Sequence, residues 1–187
     1  MGKSKLMEIE EKLRLTPDDP RLWLEKGLEL AELFCHCEAV DAFSQGLYWD
    51  GAHAGLHLAR GRRYISLKRF PEALADLAAA ARLQPESFDN WYYQGVAHAL
   101  NGDYPKAAAS MEQCLAVVLR GDESLLPPAA VWLWLLNMRL GRREAAAAAL
   151  AYVTEDTKEL AAAPSYKKIA LLYKGIIPPD NFIDESQ

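Results

Sequence analysis

Gly27, Gly61 and Gly95 lie 34 residues apart, and Ala39, Ala73 and Ala107 repeat that spacing twelve residues behind them. A fixed period of this length is the mark of stacked helix-turn-helix units, each unable to bury its apolar face alone. The register therefore constrains the chain to an all-α architecture and points to a binding scaffold rather than to a chemistry.

The rest of the sequence falls into phase with it. With Pro20, Ala54 and Phe88 as first positions, the fourth are Trp23, His57 and Trp91, the eleventh Leu30, Tyr64 and His98, and the twenty-fourth Phe43, Leu77 and Met111. The thirty-second are Gly51, Pro85 and Leu119. Over residues 20–121 this pattern resembles the tetratricopeptide repeat, with its Trp, Leu-Gly, Tyr, Ala, Phe, Ala and Pro at those spacings. Lys26, Arg60 and Gln94 depart from it, standing where an apolar residue precedes the glycine, as does Leu119 in place of the last proline.

The small Gly and Ala side chains permit close approach where paired helices cross. Leu30 with Phe43, and Tyr64 with Leu77, fill the wedge between them at spacings that suit one helical face. A hydrophobic fraction of 51% over 187 residues supports a substantial core, and the alanine runs at 78–81 and 145–149 favour helix. No alternating strand pattern appears. The resemblance thus implies a right-handed α-solenoid of antiparallel helix pairs, organised as one domain over 1–187, with repeats at 20–53, 54–87 and 88–121.

Pro17 lies 34 residues before Gly51, so 4–15, with Leu6, Ile9, Leu13 and Leu15, reads as a lone second helix that caps the stack. After Pro127-Pro128, a repeat-like pair is expected within 127–153: a helix from Val131 to Leu140, a turn at 141–143 and a helix from Glu144 to Val153. Trp134 stands near the position of the close-approach glycine. The polar segment 121–124 reads as a loop. An amphipathic helix from Ser165 to Lys174, stopped by Gly175, begins a C-terminal capping segment over 164–187, followed by a turn at Pro178-Pro179-Asp180 and a frayed acidic tail at Asp184 and Glu185. The string Tyr173-Lys174-Gly175-Ile176-Ile177-Pro178 resembles the closing segment of bacterial members of the family, which implies a bacterial origin.

In the family, positions 2, 5, 9, 12 and 13 of each unit line a concave groove. That resemblance assigns Arg21, Leu24, Leu28, Ala31 and Glu32 to the groove in the first repeat, and Gly55, Leu58, Arg62, Ile65 and Ser66 in the second. From the third it assigns Asp89, Tyr92, Val96, Ala99 and Leu100. The lining is mostly apolar, with Arg62 as its central positive charge, which suits a peptide or helix carrying hydrophobic anchors and an acidic group. Family members that hold the C-terminal carboxylate of heat-shock chaperones carry Lys, Asn and Arg where this chain has Leu24, Leu28, Ala59, Asp89 and Tyr93, so that clamp is not expected. Apolar groove positions need cover; either the C-terminal helix lies in the groove, or it packs on the fourth pair as a cap, the arrangement we expect.

Other chemistries find little support. Cys35-His36-Cys37 supplies no second ligand pair for zinc, and three cysteines fit reduced thiols better than a disulfide framework. The arginines and lysines at 60, 62, 63, 68 and 69 stand in a chain of net charge -5, which argues against nucleic acid. His57 and His98 have no evident catalytic partner in the motif and read as semi-buried core residues. With no phosphate loop, nucleophile motif or metal set, the chain reads as non-enzymatic and without a cofactor. No apolar leader or membrane-length run appears, making a cytoplasmic location the default. The expected function is a protein-binding scaffold or adaptor. A self-assembling module whose groove takes a terminal helix of another copy is the alternative, and a small acidic secretion-type chaperone fits by analogy; Tyr48 and Trp49 read as packing under the next repeat and, if exposed, as anchors for self-association.

Overall fold

The computed structural model describes residues 2–161 and 163–178. Among them it places ten α-helices and one short 3-10 turn, with no strand. The helices are α1 (Gly2–Leu15), α2 (Pro20–Glu32), α3 (His36–Trp49), α4 (Ala54–Ser66), α5 (Phe70–Leu83), α6 (Phe88–Leu100), α7 (Tyr104–Val118), α8 (Leu126–Arg139), α9 (Arg143–Ala151) and α10 (Ser165–Tyr173). The chain divides into two compact units, Met1–Asn101 and Gly102–Gln187.

Local chemistry sets the helix starts. Pro20 occupies the first turn of α2, where its missing N–H costs nothing, and the Asp19 carboxylate accepts from the Arg21 N–H at 2.9 Å. His53 does the same for α4, its Nδ1 accepting from the Leu56 N–H at 3.2 Å. Just before α3, α5 and α7 the chain turns through one left-handed residue at the same phase: Phe34 (φ 60°), Lys68 (φ 59°) and Gly102 (φ 82°). The strain is free at Gly102 and costs about 1 kcal/mol at the other two.

In the first unit each helix packs on its sequence neighbour, α1 on α2, α2 on α3, and so on to α6. Ile9 and Leu13 of α1 are buried, and Lys5 and Lys26 bind α1 to α2 through ion pairs with Glu29 and Glu10. The first core cluster gathers Leu30, Ala39, Ala42, Phe43, Leu56 and Ala59; the second gathers Ala73, Leu77 and Ala97. The register glycines are packed as the spacing requires, but the partner differs. A Cβ on Gly27 would enter the Phe43 ring, while one on Gly61 would lie 2.8 Å from Leu77 Cγ and 3.3 Å from the Ala73 carbonyl oxygen. Gly95 and Ala107 are also buried.

In the second unit α8 packs on α7 and α9, and α10 packs on α8. The helix expected from Val131 begins earlier, at Leu126, because Pro127 and Pro128 are accommodated in its first turn. Glu123–Leu125 forms the 3-10 turn, overlapping the end of the polar segment 121–124 expected to be a loop. Trp134 faces the C-terminal helix: its ring lies 4.0 Å from that of Tyr173, and Trp132 Nε1 donates to the Tyr166 hydroxyl at 3.3 Å. Lys174 Nζ donates to the Val153 carbonyl at 2.6 Å, and Gly175 (φ 72°) follows the helix end. The segment 163–178 thus packs on the fourth pair. Pro179, Asp180, Phe182, Asp184 and Glu185 lie outside the described residues.

Candidate functional site

Three helices of the first unit, α2, α4 and α6, carry the residues assigned to the groove. Between α2 and α4 lies a cleft of about 280 Å³ lined by Leu28, Ala31, Glu32, Phe43, Ala59, Arg62 and Arg63. Four of the assigned positions, Leu28, Ala31, Glu32 and Arg62, meet here. Phe43, Ala59 and Arg63 were not in the assigned set; Phe43 reaches the cleft from α3 because Gly27 leaves room for its ring.

Arg62 is half-buried, and its guanidinium carbon sits 4.3 Å from the centre of the Tyr93 ring on α6. Its Nε–H is out of contact with solvent and meets no acceptor among the described residues. An unsatisfied donor of this kind costs about 1–3 kcal/mol, while the stacking on Tyr93 returns on the order of 1 kcal/mol. Burial, and then the adjacent Arg62 charge, hold the Arg63 guanidinium below its ordinary range. Arg63 Nη1 approaches His36 Nδ1 at 3.5 Å.

On α6 the aromatic rings form a short ladder. Phe88 stacks on Tyr92 at 5.2 Å, and Tyr92 meets Tyr93 edge-on at 5.3 Å. The remaining assigned residues divide in role. Leu24 packs partly on the first core cluster, and Leu58 and Ile65 partly on the second. Val96 is half-buried, whereas Arg21, Ser66 and Asp89 are exposed; Arg21 lies 3.7 Å from Asp19, and the Ser66 hydroxyl donates to the Arg62 carbonyl at 3.3 Å.

His57 does have a carboxylate partner, correcting the sequence reading. Its Nδ1 lies 2.9 Å from Asp76 Oδ1, and its Nε2 lies 3.1 Å from the Gly51 carbonyl oxygen. Both ring nitrogens face acceptors, so the ring satisfies both only as the doubly protonated imidazolium. Asp76, 4% exposed, also takes two hydrogen bonds from Arg60, at 2.7 and 2.8 Å, and Arg60 Nη1 donates to Ser44 Oγ at 3.0 Å. The hydrogen bond to Asp76, aided by that to Gly51, raises the His57 pKa above its ordinary value against the opposing cost of burial. Burial tends to raise the Asp76 pKa, but the bonds from Arg60 and His57 win and lower it. Arg60, which breaks the apolar pattern before Gly61, is therefore half of a buried charge network.

The ring at this fourth position has one task in all three repeats. Trp23 Nε1 donates to the Pro17 carbonyl and Trp91 Nε1 to the Pro85 carbonyl, each at 2.7 Å, as His57 Nε2 does to Gly51. Each bond spans six residues and ties a helix to the turn before it. Among the described residues no group of three or more His, Cys, Asp and Glu side chains could hold a metal ion. Cys35 is half-buried, Cys37 exposed and Cys114 buried, none of them in a disulfide among the described residues. No described helix is long and apolar enough to cross a membrane.

Comparison with known proteins agrees with this architecture. The solved structure of MamA residues 41 to the end, from Desulfovibrio magneticus RS-1, has a TM-score of 0.71 at 21% identity, covering 80% of this chain and 82% of that one. YrrB, described as a TPR protein with an unusual peptide-binding site, has a TM-score of 0.68 at 17% identity, covering 90% and 84%. The first TPR of Spaghetti (RPAP3), bound to the HSP90 peptide SRMEEVD, has a TM-score of 0.60 at 21% identity, covering 66% and 94%. No curated protein matches in sequence. Residues 58–116 match the tetratricopeptide repeat model, in step with the 34-residue register and with the helices that follow it.

Proposed function

We propose that the chain is a non-enzymatic protein-interaction module that takes a peptide or helix of a partner along α2, α4 and α6. The observation that carries this reading is Arg62: a half-buried cation in a cleft with an apolar floor, its Nε–H without an acceptor among the described residues. The Arg62 side chain lines the open cleft, where an acceptor of a bound ligand would meet its charge. Leu24, Leu28, Leu58, Ile65, Tyr92 and Val96 offer the apolar anchoring surface around it. The two structural relatives whose titles name a peptide or a peptide-binding site lend support at the level of fold.

The test is affinity selection from a random peptide library followed by titration against the wild type, Arg62→Glu and Tyr92→Ala. We expect both variants to lose about tenfold in affinity with helicity retained, Arg62→Glu by reversing the charge at the cleft and Tyr92→Ala by removing an anchoring ring. Selected peptides that bind all three proteins equally would reject this surface.

A second reading, association between copies, is favoured by one observation. Tyr48 is 77% exposed and Trp49 47% exposed at the end of α3, their rings in edge contact at 5.1 Å. Neither packs away under the following repeat as a covered core residue would. Sedimentation over a concentration range decides it: concentration-dependent mass that Trp49→Ala abolishes supports association, and a monomer throughout removes it.

A further inference from the structure

The turn between α2 and α3 holds a side chain that neither the core nor the groove uses. Four helices, α2, α4, α8 and α10, close with the same pair of backbone bonds; in α2 these run from the Phe34 N–H to the Ala31 carbonyl and from the Cys35 N–H to the Leu30 carbonyl. The first donor of each pair is left-handed: Phe34 (φ 60°), Lys68 (φ 59°), Gly141 (φ 74°) and Gly175 (φ 72°). Glycine takes this conformation without a Cβ clash. Phe34 is instead a bulky aromatic, 83% exposed, with Leu33 beside it 43% exposed, and its ring meets the His36 ring edge-on at 6.1 Å. The position thus combines a disfavoured backbone with an apolar ring held in water. Fold stability supplies no reason for either, and a rigidly held, exposed aromatic is a strong anchor for a second molecule.

The same helices carry a receptor for such a ring. A cleft of about 320 Å³ opens between α1, α2 and α3, with Trp23, Leu30 and Ala42 as its apolar surface and Glu10, Glu38 and Asp41 as its acids. Its volume is at the lower limit of ligand pockets and leaves room for one side chain. Lys26, the cation that lines it, is bound to Glu10 at 2.9 Å. Glu38 and Asp41 have no ion pair among the described residues, so three carboxylates against one ammonium leave the cleft at -2. Phe34 has the opposite charge near it. The turn at Lys68 and Arg69 flanks the start of α3, where Cys37 acts electrostatically on Arg69. Arg69 is taken by Glu72 at 2.7 Å, whereas Lys68 is exposed and has no ion pair among the described residues.

We propose that the chain forms a two-fold dimer in which Phe34 of each copy enters the cleft between α1, α2 and α3 of the other, with Lys68 facing Glu38 and Asp41. Phe34 sits in the turn joining two of the helices that wall the cleft, so a single two-fold axis serves both insertions and the assembly closes at two copies. The buried ring supplies affinity, and the opposed charges fix the register. This contact is independent of the groove reading. It also lies at the other end of α3 from Tyr48 and Trp49, about 20 Å along the helix.

The test is sedimentation equilibrium of the full chain over a concentration range, for the wild type, Phe34→Gly, Lys68→Glu, Asp41→Lys, the last two combined, and Trp49→Ala. We expect the wild-type mass to rise with concentration to a plateau at twice that of the chain. Phe34→Gly should weaken the dimer at least about tenfold, yet its monomer should melt no lower than the wild-type monomer, because glycine relieves the backbone. Each single charge reversal should weaken the dimer, by less in high salt, and the combined variant should recover affinity. Trp49→Ala should leave the dimer intact. A monomer throughout, a dimer that Phe34→Gly leaves unchanged, or a combined variant no better than its singles would overturn the proposal. So would a dimer lost in Trp49→Ala, or a lower melting temperature for the Phe34→Gly monomer, which would make the ring part of the fold.

Discussion

Single side chains in the first unit have costs that can be stated. Gly61→Leu puts a branched chain where a Cβ alone would sit 2.8 Å from Leu77 Cγ and 3.3 Å from a backbone oxygen that cannot yield easily. We expect a loss of about 3 kcal/mol, read as a fall in the denaturation midpoint; an unchanged midpoint would mean the crossing lies elsewhere. Asn90, buried at the start of α6, donates from Nδ2 to the carbonyls of Ala80 and Gln84, both at 3.0 Å, and so closes the end of α5. Asn90→Ala removes two bonds to carbonyls that also accept from the Gln84 and Ser87 N–H groups, and should cost about 1 kcal/mol by urea unfolding, a change near zero being the contrary result. The glycine could be read from its period. Asn90 could not, because its counterpart one repeat earlier is Leu56, and an amide at a core phase announces no partner until the preceding helix end is placed beside it.

Between elements, the His57–Asp76–Arg60 network joins α4 to α5, reaches α3 through Ser44 and holds the turn at Gly51. His57 is faced by Asp76 from α5, by the Gly51 carbonyl, and by Arg60 on its own helix, whose charge opposes protonation. Because its folded pKa lies above the ordinary 6.5, the stabilisation is complete below about pH 6.5 and is lost as pH rises through the folded value. Asp76 works in the opposite direction: its pKa lies below 3.8, so its contribution is held above that pH and lost as acid takes it through its folded value. We expect the wild type to lose stability as pH rises above about 6.5 through the folded His57 pKa, and His57→Gln, which has no such titration, to show a flatter profile; parallel profiles would contradict the imidazolium assignment. Asp76→Asn should cost about 3–5 kcal/mol by stranding Arg60. The sequence did carry a signal for this network. The second repeat alone replaces Trp with His at 57 and Ala42 or Ser110 with Asp at 76, and it places Arg at 60. Each substitution reads as noise by itself, and only helix pairing shows that they meet.

For the whole chain, the register was enough to place helix pairs because a repeated apolar face leaves few ways to bury itself. Where the repeat decays, sequence reasoning lost precision: α8 begins at Leu126 rather than Val131, since prolines that look like a linker are also good first-turn residues. The groove positions came from the repeat, and the cleft did not. Its second arginine and its Phe43 floor depend on which way neighbouring side chains lean across a glycine, and period alone does not encode that. The most direct measurement of the central claim is hydrogen exchange on the full chain with a library-selected peptide, compared with the free protein. If α2, α4 and α6 hold the ligand, protection should rise at residues 24–32, 58–66 and 89–96 and stay unchanged in α8 to α10. Protection confined to α8 to α10, or to the Tyr48–Trp49 edge, would contradict it.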